Sequence, residues 1–145
     1  MTPNGPVSRG DLFVFYGMLK AHAAGHPEDL GLAGAGRYLG PCRIRGALYD
    51  LGTYPGLLPG EQLCHGELYQ VDKPEIAEAL DAFEDLVPDD PNGSLYLRCP
   101  VPVLDTSGAA TGQTAWAYLY NRSAAGHTPI VDGCWRGPRT PAQGD

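Results

Sequence analysis

Residues Leu12-Phe13-Val14-Phe15-Tyr16-Gly17-Met18-Leu19-Lys20 contain an apolar run that stops at a glycine. A short run that is apolar on both faces is typical of a central strand. A strand that ends at glycine can leave backbone N–H groups facing a ligand, as anion-binding turns do. The stretch therefore predicts a buried strand over 12–16, followed by either a tight exit turn or a binding loop.

The remaining sequence predicts short strands joined by many turns. The chain has 145 residues with 20 glycines and 14 prolines, and 43% of it is hydrophobic. We expect one domain over 1–145, with a polar segment over 1–10 and an irregular tail over about 126–145. The expected strands are 37–51, broken at Gly40-Pro41, then 63–71, 95–104 and 114–121, with turns over 52–60 and 106–112. This pattern indicates an α+β fold in which strands dominate, and a small barrel is a natural way to close them.

The clearest helix is expected after residue 71. Asp72 and Glu75 have the spacing of a capping box, and Pro74 lies in the first turn, where its missing N–H does no harm. Val87-Pro88 is expected to end the helix.

The apolar stripe of this helix indicates which of its acids turns inward. The stripe consists of Ile76, Leu80 and Phe83. At about 100° per residue, Glu84 lies roughly 70–75° from its centre, so partial burial would raise the pKa of Glu84 into the range of a general base. The acids expected on other faces are Glu75, Glu78, Asp81 and Asp85. Geometry alone leaves open a boundary glutamate that reaches water.

Two later strands contain polar aromatic residues. Trp116, Tyr118 and Tyr120 share one face of their strand by period-two counting, as core aromatics or as ligand contacts. Tyr96 and Arg98 share a face of another strand, where the arginine either pairs with a carboxylate or covers the end of the sheet.

Charge and composition exclude several classes of function. A net charge of −7 disfavours nucleic acid as a partner, and no apolar run is long enough to span a membrane or to act as a signal peptide. We therefore expect a cytoplasmic protein whose four cysteines are reduced. His22 and His26 are four residues apart, but no acidic third ligand accompanies them, so no metal site is predicted.

Several segments, taken in order, resemble the γ-glutamylcyclotransferase-like superfamily, which includes γ-glutamylamine cyclotransferases. That family opens with an apolar strand followed by Tyr-Gly-(Ser or Thr)-Leu, similar to residues 12–20 here. The further similar segments are 46–56 (GALYDLGTYPG), 66–72 (GELYQVD), 80–84 (LDAFE), 96–98 (YLR) and 117–120 (AYLY). The resemblance extends over roughly residues 11–121.

The resemblance implies a mixed barrel of about five to seven strands with flanking helices and a central cavity. It implies a cofactor-independent transferase or lyase reaction, in which the α-amine of a γ-glutamyl amide attacks its own γ-carbonyl and releases 5-oxoproline and an amine. Glu84 falls on the position of the family's general acid and base. The residues that match its substrate pocket are Tyr16, Gly17, Met18 and Leu19 in the loop, and Tyr118 and Tyr120 on the late strand.

One departure from the family pattern leaves alternatives open. Met18 stands where the family has Ser or Thr, so a hydroxyl contact is lost while backbone contacts survive. The alternatives are γ-glutamyl deprotection of a larger biosynthetic intermediate and a binding module without turnover. We expect a small-molecule γ-glutamyl ligand and a monomer or weak homodimer.

Overall fold

The computed structural model describes residues 2–21, 23 and 26–137 of the chain. His22 of the histidine pair and residues 138–145 of the expected tail lie outside this part. The elements are β1 (Leu12–Phe15), a 3₁₀ turn (Glu28–Leu30), α1 (Leu32–Ala35), β2 (Gly36–Asp50), β3 (Pro55–Val71), α2 (Ile76–Phe83), β4 (Tyr96–Leu104), β5 (Ala110–Tyr120) and β6 (Thr128–Pro129). None of the helices in the described ranges has the length and apolarity needed to cross a bilayer.

The strand pairings close the sheet into a ring. The order is β3-β1-β5-β4-β2, and β2 pairs again with β3, while the short β6 joins β2. The β1–β5 pair is parallel and the others are antiparallel, so the sheet is mixed. The β2–β4 pairing of this ring is short, and in the described residues it consists of one pair, Arg43 opposite Leu104. The predicted α+β class and the predicted number of strands are confirmed.

Strand β1 is central, as its sequence predicts. Its neighbours are β3 and β5, and its side chains alternate between two hydrophobic clusters. Phe13 and Phe15 pack in the cluster that also contains residues of α1 and α2, while Val14 and Tyr16 pack in a cluster built almost wholly from strand residues. Because both faces of β1 are covered, the strand fixes the position of the loop that follows it.

The turn expected over 52–60 is much shorter in the structure. Residues 51–54 form the turn, closed by a 3.0 Å hydrogen bond from the Leu51 N–H to the Tyr54 carbonyl, and β3 begins at Pro55. Of the glycines and prolines that suggested a long turn, Pro55 and Gly56 pair with β2, while Pro59 and Gly60 belong to a bulge, where the β2–β3 register shifts between Gly46 and Ala47. A Cβ at Gly60 would lie 2.9 Å from the Ala47 backbone nitrogen, so glycine allows this close approach.

The capping box predicted for α2 is wrong. The helix begins at Ile76, its N-cap residue is Glu75, and no side chain caps it. Asp72 instead accepts a 3.0 Å hydrogen bond from Arg9 Nε, and the N–H of Asp72 and of Lys73 donate to the Ala35 carbonyl. The chain is therefore tied to the end of α1 before it turns into α2, which delays the helix by one turn.

We expect Leu80→Ala to destabilise the protein by about 2–5 kcal/mol, because Leu80 is fully buried between α2 and the sheet. Urea denaturation would measure the free energy of unfolding. Leu39→Ala is the control, since Leu39 is 45% exposed and should cost about 1 kcal/mol. Equal losses in the two variants would contradict this assignment of the core.

Candidate active site

A cavity of about 170 Å³ lies where the end of β1 meets the end of α2. Its wall is mostly apolar and aromatic. The lining residues are Val14, Phe15, Tyr16, Gly17, Met18, Leu19, Tyr54, Pro55, Phe83, Glu84, Asp85, Leu95, Tyr96 and Tyr118. A concave apolar site with a few converging polar groups is the usual form of a small-molecule pocket.

The loop after β1 forms one wall of the cavity and requires a glycine. A Cβ at Gly17 would lie 2.8 Å from the Pro55 ring, which leaves no room for a side chain. Pro55 is itself held in place, because its carbonyl accepts a 2.6 Å hydrogen bond from the Tyr96 hydroxyl. The glycine therefore lets the loop backbone lie directly against the opposite wall.

The loop presents backbone N–H groups without partners. Among the described residues, no group accepts a hydrogen bond from the N–H of Gly17, Met18 or Leu19. The carbonyls of this segment are occupied, since Leu19 accepts from the Tyr38 hydroxyl at 2.7 Å and Gly17 from the Lys20 N–H at 3.1 Å. The carbonyl groups therefore hold the loop in place, while its N–H groups are free to donate hydrogen bonds to a ligand carboxylate.

The end of α2 places Glu84 at the cavity. Glu84 is the C-cap residue, and Asp85 follows it in the left-handed region with φ 54°. The Leu86 N–H donates to the Asp81 carbonyl at 2.9 Å and the Asp85 N–H to Ala82 at 3.1 Å, the two hydrogen bonds of a Schellman motif. The chain therefore leaves the helix immediately after Glu84 and returns toward the sheet.

Glu84 is partly exposed as a residue, but its carboxyl group is buried and has no donor beside it. Among the described residues, no group donates a hydrogen bond to its side chain. Burial raises the pKa of Glu84 from 4.5 to about 8, and the negative charges of Asp85 and Asp81 contribute to the rise. A carboxyl group with a pKa close to neutrality can both accept and return a proton.

Tyr118 belongs to a hydrogen-bonded network behind the cavity. Its hydroxyl donates to Asp81 Oδ1 at 2.6 Å, and Arg98 donates to both Asp81 oxygens at 3.0 and 3.1 Å. Arg98 is 4% exposed, and its guanidinium lies 4.5 Å from the centre of the Trp116 ring. The arginine therefore pairs with a carboxylate, one of the two roles that its position on the strand left open.

The helical projection failed for two acids of α2. Asp81 was expected outside the apolar stripe, yet it is half-buried because it forms an ion pair with Arg98 of β4. Asp85 was expected to point away, yet it lines the cavity, because the left-handed residue ends the helical progression there. The projection assumed a helix that continues to residue 86, and α2 ends at Phe83.

Three phenols that line the cavity, those of Tyr16, Tyr96 and Tyr118, are hydrogen-bonded and neutral. The Tyr16 hydroxyl donates to the Tyr118 carbonyl at 2.5 Å and accepts from the Leu57 N–H at 3.3 Å. Burial, reinforced by charged or ionisable neighbours, raises the pKa of Tyr16, Tyr96 and Tyr118. These tyrosines therefore shape the cavity, while Glu84 is the group that titrates near neutral pH.

Six of the seven residues predicted for the site line this cavity. Those six are Tyr16, Gly17, Met18, Leu19, Glu84 and Tyr118. Tyr120 does not line it; its ring packs 5.6 Å from that of Tyr96 and 6.4 Å from that of His127. The cavity is also lined by Tyr54, Pro55, Asp85 and Tyr96, none of which the sequence predicted as a site residue, although all but Asp85 lie in segments that carry the family resemblance.

The described residues contain no group of three or more histidines, cysteines or acids placed to hold a metal ion. His26 instead approaches the Met18 carbonyl at 3.0 Å through Nδ1. All four cysteines are free thiols.

Comparison with known proteins identifies the family of this chain. The family model "Gamma-glutamyl cyclotransferase, AIG2-like" matches residues 13–137. A Vibrio cholerae protein that carries the gamma-glutamylcyclotransferase name is 44% identical over 89 residues, which are 61% of this chain and 65% of the relative. The chain thus matches less than two thirds of that relative's length.

A second relative and a solved structure extend the comparison. The gamma-L-glutamyl-butirosin B gamma-glutamyl cyclotransferase of Niallia circulans is 36% identical over 80 residues, covering 54% of this chain and 49% of the relative. The crystal structure of an AIG2-like protein from Mus musculus superposes with a TM-score of 0.66 over 91% of this chain and 98% of that chain, at 24% identity, which shows the fold alone. Because the family model matches most of the chain, this chain belongs to the AIG2-like gamma-glutamyl cyclotransferase family.

Proposed function

We propose that this protein is a cyclotransferase that cleaves a γ-glutamyl amide, with Glu84 as its general acid and base. The observation that carries the proposal is a carboxyl group with a pKa of about 8, without a hydrogen-bond donor in the described chain, in a cavity faced by free backbone N–H groups. The membership of the family supports the reaction class.

The reaction needs one proton carrier and a folded substrate. The α-ammonium group gives a proton to the Glu84 carboxylate, and the freed amine attacks the γ-carbonyl carbon, closing a five-membered ring. The amide C–N bond then breaks as the proton held by Glu84 goes to the departing nitrogen. The ring nitrogen gives its second proton to the Glu84 carboxylate, which passes it to the released amine and is thereby regenerated. The products are 5-oxoproline and a free amine, and no oxidant, reductant or metal enters the balance.

The loop after β1 would orient the substrate for this attack. The free N–H groups of Gly17, Met18 and Leu19 suit the α-carboxylate of the γ-glutamyl group. Held there, the α-amine lies in the same cavity as Glu84, where its positive charge favours the ionised carboxylate. The substitution at Met18 leaves this backbone recognition intact, since it uses no side-chain hydroxyl.

We further infer that the leaving group carries a second, positively charged group in addition to the amide nitrogen. Asp85 is exposed and lines the cavity next to Glu84, so its carboxylate lies at the open side, where a leaving group would project. A cationic amine gains from this neighbour, and a neutral amine does not. The Niallia circulans relative, named for a γ-glutamylated compound, is consistent with a larger leaving amine.

We expect Glu84→Gln to lower kcat by about 10²- to 10⁴-fold, because the amide cannot carry the proton. Formation of 5-oxoproline from a panel of γ-glutamyl amines, followed by mass spectrometry, is the measurement. Glu78→Gln is the control, since Glu78 is exposed on the same helix and should leave the rate unchanged. Thermal stabilisation by the panel without any product from the wild type would instead support the binding module.

The stability of the protein should depend on pH through Glu84. Its pKa is about 8 in the folded state against an ordinary 4.5, so the folded protein holds this proton more tightly. The contribution to stability is complete below the ordinary pKa and is lost as pH rises through about 8. We therefore expect urea denaturation to show Glu84→Gln gaining stability relative to wild type between about pH 5 and about pH 9. A difference that stays constant over that range, as expected for Glu78→Gln, would refute the raised pKa.

We expect Asp85→Asn to reduce selectivity for cationic leaving amines. Substrates for the measurement are the γ-glutamyl amides of 1,4-diaminobutane and of pentylamine, which have equal length and differ in charge. The ratio of their kcat/KM values should fall roughly two- to fivefold, as for an exposed charge pair. Any effect of the substitution on the pKa of Glu84 acts on both substrates and cancels in the ratio. Asp89→Asn is the control, because Asp89 also has a positive φ, 62°, which asparagine tolerates, and it does not line the cavity. An unchanged ratio in Asp85→Asn would contradict the charge assignment.

A further inference from the structure

A second cavity begins where the lining of the first ends. Gly17 to Leu19 line the first cavity, and the next two residues, Lys20 and Ala21, line a separate cavity of about 380 Å³. The other lining residues are Ala23, Pro41, Arg43, His65, Gly66, Glu67, Cys134, Trp135, Arg136 and Gly137. None of them belongs to the candidate active site.

This cavity concentrates positive charge on an acidic protein. Lys20, Arg43 and Arg136 line it against one carboxylate, Glu67, although the chain has a net charge of −7. Arg43 on β2 and His65 on β3 are direct cross-strand partners, so the guanidinium group lies opposite an imidazole. A protonated imidazole at this position would be unfavourable unless an anion compensated it.

Of these three cations, only Arg136 has a carboxylate as an ion-pair partner among the described residues. Lys20 and Arg43 form no ion pair within the described chain: Lys20 Nζ donates to the Trp135 carbonyl at 3.1 Å and Arg43 Nη1 to the Cys42 carbonyl at 3.0 Å. Both side chains are half-buried, so their charges are less screened than those of fully exposed residues. Glu67 is partly satisfied, because its Oε1 accepts a 2.5 Å hydrogen bond from the Ala21 N–H.

Burial and the positive charges of the cavity lower the pKa of His65. Its pKa is lowered by burial and then by Arg43, Lys20 and Arg136, with Asp132 acting in the opposite direction. Arg136 is paired with Asp132 at 2.6 Å at the exposed side of the cavity, yet its charge still acts on His65. Three cations from different segments thus act on the same point.

We propose that the cavity lined by Lys20, Arg43 and Arg136 binds a compact polyanion of the phosphate class, either free phosphate or a phosphate ester. Arginine guanidinium groups match phosphate oxygens in pairs, and a lysine adds a point charge on a flexible stem. The volume of about 380 Å³ accommodates such a group with part of an attached molecule. The site does not depend on the function proposed for the first cavity.

The test is isothermal titration of the full chain with inorganic phosphate and with a phosphate monoester, glycerol 3-phosphate, at constant ionic strength, and the tighter binder identifies the source. We expect saturable binding with one site per chain. Arg43→Gln and Lys20→Gln should each raise the dissociation constant by about ten- to a hundredfold, the loss expected for one charge-assisted contact. The matched control is Arg45→Gln, since Arg45 lies on the same strand, is exposed and does not line the cavity, so it should bind as wild type does.

The proposal is overturned by the absence of saturable binding to the wild type, or by equal weakening in Arg43→Gln and Arg45→Gln, which would indicate diffuse surface attraction. Thermal melting of each variant without ligand verifies that it is folded. If Arg43→Gln fails to fold, Lys20→Gln carries the same comparison, because it removes a contact from a different segment.

Discussion

A carboxyl group held away from water without a hydrogen-bond donor is unfavourable, and the rest of this site depends on keeping Glu84 in that position. Ionising such a group costs free energy, so its pKa rises to about 8 and the proton becomes transferable near neutral pH. The position is fixed by the end of α2, where two backbone hydrogen bonds and a left-handed Asp85 stop the helix. A helix that continued would carry the following residues away from the cavity.

The ring of strands supplies the rigid walls that such a group requires. β1 is covered on both faces, so the loop with the free N–H groups starts from a fixed point. The Tyr16 hydroxyl donates a hydrogen bond to the Tyr118 carbonyl, and the Tyr96 hydroxyl donates one to the Pro55 carbonyl. These bonds connect the segment after β1, the start of β3 and the strands β4 and β5 around the cavity. Since these phenols stay neutral, proton transfer near neutral pH falls to the carboxyl group.

Local chemistry in the sequence predicted the central strand and the glycine turn, and it favoured Glu84 as the inward acid of its helix, because these depend on short-range periodicity and on a glycine at a strand end. What failed depends on contacts between distant segments. The capping box at Asp72 was displaced by hydrogen bonds to Ala35, and the outward placement of Asp81 by Arg98. The charged cavity at Lys20 and Arg43 was equally beyond periodicity, since ring closure brings those residues together. Tyr120, equivalent to Tyr118 by alternation, lies against Tyr96 and outside the cavity.

The most direct test of the account is a carbon-13 NMR titration of the Glu84 carboxyl carbon in the ligand-free protein, assigned by comparison with Glu84→Gln. A buried Glu84 carboxyl group should titrate with a midpoint near pH 8, set by burial and by the charges of Asp85 and Asp81. A midpoint near the ordinary 4.5 would show a solvated carboxylate and contradict Glu84 as the proton carrier.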